Sequence, residues 1–323
     1  MIIPGADSPF QGPINEPRKK NMKHVLLATT ALAMTASFAA ADVSLSGRAA
    51  AGSISGDTAG GDGMAAGVKS EVYSGIDVNI SASVTTDSGV TVTVADDIGG
   101  GKLPDYADKE LDAQTADIGT PGVSIAFSGT TVKFDNQAID DRYDNTQNGD
   151  IAIDTTIGGA SIGITFDTDA GTHDGDKLTS TPNTKNSTTS YSLGYSMGDI
   201  TLSVTGTDAN DSGDAAMVWS ASWAMNSDIT LSIKSDNKGK ADDITTGTVA
   251  YKMGDLALSL SADDNDDWNA SATYTAGALS VTYATDEESA WEADVSYAMG
   301  SGVALKASSD STNTSIIGID FTF

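Results

Sequence analysis

Residues 314–323 read Thr-Ser-Ile-Ile-Gly-Ile-Asp-Phe-Thr-Phe. Ile317, Ile319, Phe321 and Phe323 fall on alternate positions, with Gly318, Asp320 and Thr322 between them. That period of two is a strand with one apolar and one polar face. It runs to the last residue, which is aromatic. The ends of soluble domains usually fray, so an apolar strand at a free end calls for an apolar solvent. A strand that closes a membrane barrel has one.

The start of the chain points to export. Arg18, Lys19, Lys20 and Lys23 precede an uncharged, mostly apolar run, Val25–Phe38, and three alanines, Ala39–Ala41, follow. This is the order of a secretory signal peptide over residues 22–41, cut after Ala41. The competing reading is a membrane anchor, but 14 apolar residues fall short of the roughly 20 a spanning helix needs. Residues 1–21 have no periodicity; they read as an extension ahead of the true start at Met22, or as a disordered leader. The cut removes four basic residues and two acidic ones, Asp7 and Glu16, so the net charge moves from −28 to −30.

Such a charge excludes nucleic acid as a partner, because phosphate contacts need Lys and Arg. There is no cysteine, hence no disulfide or thiolate chemistry. After Phe38 no apolar run approaches the length of a spanning helix. A barrel escapes that test, since only every second residue of its strands is apolar.

Alternating runs fill the rest of the chain, over residues 42–323. Val43, Leu45, Gly47 and Ala49 alternate with Ser44, Ser46 and Arg48; Ile76, Val78, Ile80 and Ala82 alternate with Asp77, Asn79 and Ser81. Hairpin signals recur at Thr86–Gly89, Gly129-Thr130 and Gly158-Gly159. In the second half one element repeats: an aromatic, two residues, then a turn. Its aromatics are Tyr195, Trp223, Tyr251, Tyr274 and Tyr297, spaced 28, 28, 23 and 23 residues apart. Between them lie longer acidic loops such as Asp236–Asp243 and Asp263–Asp267. Short turns on one side and long polar loops on the other predict an all-β fold: a transmembrane antiparallel up-and-down β-barrel with periplasmic turns and extracellular loops. The five aromatics form the girdle beside the turns. A β-solenoid would keep a more constant period, and a sandwich has no need of Phe323. Eight tight turns imply 18 strands; boundary uncertainty leaves 16–18 open.

The signal peptide, the mature start Asp42–Gly47, the hairpin Thr85–Gly89, the pair around Ser128–Thr130 and the closing Phe321–Phe323 together resemble alphaproteobacterial general porins of the Rhodobacter type. The likeness runs over the whole mature chain. It implies a 16-stranded homotrimeric barrel in the outer membrane of a Gram-negative bacterium, passing small hydrophilic solutes. It implies contact with outer-membrane lipid and lipopolysaccharide, and a C-terminal assembly signal, Phe321 and Phe323, read by the barrel assembly machinery. It also implies a long loop folded into the lumen after the fifth strand. Here that loop would be Asn136–Asp150, shorter than the family's, and the eighth turn departs from a 16-stranded plan.

Strand parity assigns the pore lining, because a Lys or Arg facing mid-bilayer lipid costs about 2–4 kcal/mol. Arg48, Asp77, Lys133, Lys234, Lys252, Lys306 and Asp320 fall between apolar alternates and point inward. Asp140, Asp141, Arg142, Asp144 and Asp150 belong to the candidate inward loop. An acidic loop facing a basic wall would set a transverse field across the channel. Asp320 on the closing strand should lie near Arg48 on the first. The charge predicts cation preference.

Asp169, Asp211 and Asp214 resemble fragments of calcium loops, without the Glu an EF-hand needs. Solvated surface loops are the default reading, with weak divalent binding as the alternative, and no other cofactor is expected. An enzyme is not expected either: the mature chain has one histidine, His173, for any triad or metal site. The leading function is a passive pore. The alternatives are a structural or adhesive outer-membrane barrel without an open lumen, and a secreted calcium-binding β protein.

Overall fold

In a computed structural model, residues 41–56, 69–143, 147–168, 188–208, 215–237 and 243–323 are described. The expected signal peptide, residues 22–41, lies outside them but for Ala41. The first strands are β1 (Asp42–Ser55), β2 (Ser70–Thr85), β3 (Thr91–Asp105) and the short β4 (Glu110–Ala113). Then follow β5 (Gly122–Phe127), β6 (Thr130–Asp140), β7 (Gln147–Ile157), β8 (Ala160–Phe166) and β9 (Thr189–Met197). The regular second half comprises β10 (Ile200–Thr207), β11 (Ala216–Ala224), β12 (Ile229–Asp236), β13 (Ile244–Met253) and β14 (Leu256–Asp263). It ends with β15 (Trp268–Ala276), β16 (Leu279–Asp286), β17 (Trp291–Gly300), β18 (Val303–Asp310) and β19 (Ser315–Thr322).

Each strand pairs antiparallel with its neighbour in sequence, except that β3 skips β4 to pair with β5. β19 returns to β1, with Ser55 opposite Ser315 and Arg48 opposite Thr322. The sheet therefore has no free edge, and with β4 aside the wall has 18 strands. This settles the count above the 16 implied by the resemblance. The physical reason is the turn inventory: all eight tight turns join wall strands, and Gly89, Gly129, Gly158 and Gly198 take the positive φ such turns need.

The wall is inside out relative to a soluble protein. Val43 and Leu45 on β1, Leu193, Tyr195 and Met197 on β9, Leu258 and Leu260 on β14, and Ile317, Ile319, Phe321 and Phe323 at the close are all exposed. They occupy one face, and small polar residues occupy the other. No helix among the described residues is long and apolar enough to cross a membrane; strands cross it here. The aromatics Tyr195, Trp223, Tyr251, Tyr274 and Tyr297 all lie exposed on this outer face, near the ends of strands that lead into short turns. Trp268 and Trp291 mark the opposite ends of two of those strands, six residues from Tyr274 and Tyr297, roughly 20 Å along an extended chain. Tyr283 stacks on Trp291 there, with ring centroids 6.5 Å apart.

The loop side is built from aspartate caps. In the loops after β14, β16 and β18, Asp263, Asp286 and Asp310 each accept hydrogen bonds from the backbone two and four residues on. Asp266, Ser289 and Asn313 then take positive φ. Part of the acidic excess is thus turn chemistry.

Candidate pore constriction

The wall folds inward at a place the sequence reading passed over. After Ala95 the strand β3 parts from β5 and continues against β2 as far as Gly101, opposite Gly75. Gly99–Gly101 permit the departure. Gly101 has φ +77, and a Cβ there would meet the Ser74 carbonyl oxygen at 2.2 Å; one on Gly75 would meet the Lys102 backbone at 2.4 Å. Beyond Gly101 the end of β3 turns back through Tyr106–Lys109 and pairs with β4, from Lys102 opposite Ala113 to Asp105 opposite Glu110. Asp105 closes this hairpin by accepting from the backbone of Ala107 and Asp108.

The hairpin lies on the inner face. Leu103 and Leu111 are buried in a small cluster with Ala50, Ile54, Tyr73 and Ile316, the inward-facing residues of β1, β2 and β19, and Tyr106 packs against it. The rim is ionic. Lys102 pairs with Glu71 of β2 at 2.9 Å, and Lys109 pairs with Glu292 of β17.

Tyr106 lies over the closure of the barrel. Its hydroxyl donates to Asp320 Oδ1 at 3.2 Å and meets the Tyr73 hydroxyl at 3.3 Å. Burial, foremost, raises the Tyr106 phenol above the ordinary phenol range, so it stays a donor. Asp320 Oδ2 lies 3.0 Å from Arg48 and 2.9 Å from Lys306. Arg48 also donates to the Pro104 carbonyl at 2.9 Å, and both cations lie over the Tyr106 ring, at 5.9 and 5.2 Å from its centroid. Asp77 is directly opposite Arg48 on β2, yet one of its carboxylate oxygens is buried without a hydrogen-bond donor.

The expected inward loop at Asn136–Asp150 is mostly wall instead. β6 runs to Asp140, where the carboxylate is exposed, and β7 starts at Gln147. A bulge takes up the spare length. Phe134 is opposite Ile151 and Ile139 opposite Gly149, so four residues stand against Asp150 alone. The Asp150 carboxylate is spent on Gln137 and Thr168. Among the described residues of this loop, 141–143 leave the wall. Asp141 accepts from the Tyr143 backbone at 2.6 Å. Arg142 reaches Asp154 at 2.9 Å and donates to Thr165, and the Tyr143 hydroxyl donates to Asp236 of β12 at 2.9 Å. Between this segment and the wall, a cavity of about 410 Å³ is lined by Lys133, Asp135, Asp140 and Arg142.

The acid-facing-base arrangement expected of that loop is therefore not what the charges form. Lys133 is opposite Ser124 and Ala152, and Lys252 opposite Ala257; neither makes an ion pair among the described residues. Lys234 is 3.7 Å from Asp236. Asp144, Asp169, Asp211 and Asp214 lie outside the described residues. Among the described residues no group of three or more His, Asp or Glu is placed to hold a metal ion.

At the closure, Phe323 exchanges both backbone hydrogen bonds with Gly47, at 2.9 and 3.1 Å. Its ring lies over that glycine and stacks on Phe321 with centroids 5.5 Å apart. The hairpin could have been sought in the sequence from the triple glycine Gly99–Gly101, which interrupts a strand, followed by the apolar pair Leu103 and Leu111 outside any strand alternation.

A family model described as Gram-negative porin matches residues 28–322. Among solved structures, two engineered variants of Rhodopseudomonas blastica porin align at 18% identity, with TM-scores of 0.54 and 0.55. A triple mutant of the same porin aligns at 18% identity with a TM-score of 0.51. Each covers 87% of this chain and 100% of its own. No curated protein sequence matches the chain.

Proposed function

We propose that this chain, which belongs to the Gram-negative porin family, is a cation-preferring pore for passive diffusion of ions and small hydrophilic solutes. An outer-membrane channel and not an enzyme follows from family and fold; the solute class and the sign of the preference are our reading. The observation that carries it is the inner face of the closed barrel. Of its described basic residues, Arg48, Lys102, Lys109, Arg142, Lys234 and Lys306 are each within reach of a carboxylate, which leaves Lys133 and Lys252 as the unpaired inward cations. Exposed carboxylates such as Asp108, Asp112 and Asp140 remain. Water in such a lumen is enriched in counter-ions of the uncompensated charge.

The same reading gives the chain a leader removed at Ala41, assembly as a homotrimer in the outer membrane, and contact with lipid and lipopolysaccharide. Phe321 and Phe323 serve as the signal for the barrel assembly machinery. Divalent cations are the natural bridge between the acidic loops and lipopolysaccharide phosphates. The test is a reversal potential across a planar bilayer under a KCl gradient. A potential of the sign set by K⁺ supports the reading, and one set by Cl⁻ overturns the cation preference. Step conductance in the same membrane separates an open pore from a closed structural barrel.

A further inference from the structure

We propose that the hairpin formed by the end of β3 and β4 determines ion selectivity through Asp108 and Asp112, acting as local carboxylates rather than as one side of a transverse field. The inference rests on the cation-preferring reading above and says which residues set it.

Three observations carry it. The hairpin is fixed inside the barrel by an apolar cluster, Leu103 and Leu111 against Ile54, Tyr73 and Ile316, and by ion pairs at both ends. An element held that way stays in the permeation path instead of swinging clear. The hairpin also sorts its charges. Both of its cations, Lys102 and Lys109, point back to wall carboxylates and are neutralised there. Asp108 and Asp112 are exposed and make no ion pair among the described residues. Finally, the wall beneath has no cation to spare. Arg48 and Lys306 share Asp320, and Asp77 is directly opposite Arg48 on β2, so two cations meet two carboxylates, with Tyr106 of the hairpin covering Arg48, Lys306 and Asp320. An ion passing this side of the lumen meets carboxylates on the hairpin and a compensated wall behind it. Beside the tip, gaps of about 270 and 250 Å³ remain between Tyr106–Lys109 and strands β15–β18, so the hairpin leaves space along that wall.

The chain has no cysteine, so Asp108→Cys and Asp112→Cys each give a single addressable thiol. The purified full chain is reconstituted in planar bilayers, and the K⁺/Cl⁻ permeability ratio is read before and after treatment with anionic or cationic methanethiosulfonate reagents. Each neutral thiol form should lower the ratio by about fivefold, because one unit charge across roughly 8 Å of water changes K⁺ and Cl⁻ by about twofold each in opposite directions. The anionic reagent should restore it and the cationic reagent lower it further, while Asp87→Asn, on the short turn between β2 and β3, leaves it unchanged. Because the same folded protein is compared before and after labelling, a folding defect cannot mimic the result. Ratios that ignore the sign of the reagent at both positions, in a barrel whose unsubstituted form prefers cations, overturn this inference and leave the preference standing. An unsubstituted barrel that prefers anions overturns the reading underneath, and this inference with it.

Discussion

Arg48 and Asp320 are 272 residues apart in the chain and 3.0 Å apart across the closure of the barrel. The pair is diagonal: Arg48 is opposite Thr322, and Asp320 is opposite Ala50. Lys306 reaches the same carboxylate from the other side, again on a diagonal, since it is opposite Gly318. Offsets of two residues across a strand pair bring long side chains together. One buried carboxylate thus ties the first strand to the last two.

Asp320→Asn should weaken that closure. The amide keeps the volume but leaves Arg48 and Lys306 facing each other without their anion. A charge-assisted hydrogen bond contributes about 1.5–3 kcal/mol. Both cations are about one-third exposed, so water takes up part of the loss, and a net cost of about 2 kcal/mol is expected. It should appear as a lower urea midpoint in lipid vesicles, together with a shift of the reversal potential toward Cl⁻. An unchanged midpoint would mean that the cluster beneath Tyr106 holds the seam without the ion pairs.

Removing Phe323 should impair assembly more than conduction. The residue contributes two backbone hydrogen bonds to Gly47 and a ring lying over it on the outer face. Nothing of it faces the channel. The expected outcome is a smaller fraction of barrels that resist unfolding in detergent before boiling. The barrels that do insert should have the conductance of the full chain. Normal insertion yield of the truncated chain would count against an assembly role.

Gly101→Ala should move the hairpin. Positive φ costs a residue with a Cβ about 1–2 kcal/mol, and here the Cβ also meets a backbone oxygen at 2.2 Å. Gly89 is the matched control: its φ is +80, but nothing lies within 4 Å of a Cβ there. Gly89→Ala should lower stability by about 1–2 kcal/mol, and Gly101→Ala by more because of the clash. Only Gly101→Ala should alter single-channel conductance, because only there does relief of the clash shift Lys102 and the strand end that leads into the channel.

Much of the fold was legible in the chain because a membrane barrel writes its geometry locally. Parity set the outer face, so Leu45, Leu258 and Phe321 could be placed without knowing any partner. Turn chemistry pointed to the strand number without deciding it: Thr86–Gly89 and Gly158-Gly159 are two of the eight turns that separate 18 strands from 16. The closing strand could be matched to β1 because a barrel leaves no other edge. The constriction was less legible. Leu103, Pro104 and Tyr106 follow no alternation and read as loop, and what holds them is a cluster contributed by Ile54, Tyr73 and Ile316 from distant strands. Nor does parity say which inward charges meet. Arg48 passes over its direct neighbour Asp77 for a diagonal one, a choice set by where the hairpin sits.

The inside-out wall makes a sharp prediction on β14, where adjacent residues face different solvents. Leu260 is exposed on the outer face between Val249 and Ala270, while Ser259 faces inward between Ala250 and Ser271. Leu260→Lys and Ser259→Lys add the same charge one residue apart. On the lipid side a lysine near the bilayer centre costs about 2–4 kcal/mol; in a water-filled lumen it keeps its hydration, and the cost is small. Folding into lipid vesicles, followed by the difference in gel migration between unheated and boiled samples, should show a reduced folded fraction for Leu260→Lys alone. Ser259→Lys should fold normally and reduce the K⁺/Cl⁻ ratio, since it adds an uncompensated cation to the channel. If both lysines were tolerated equally, the outer face of β14 would not be in lipid, and the wall would have to be assigned to a soluble or solvent-filled assembly.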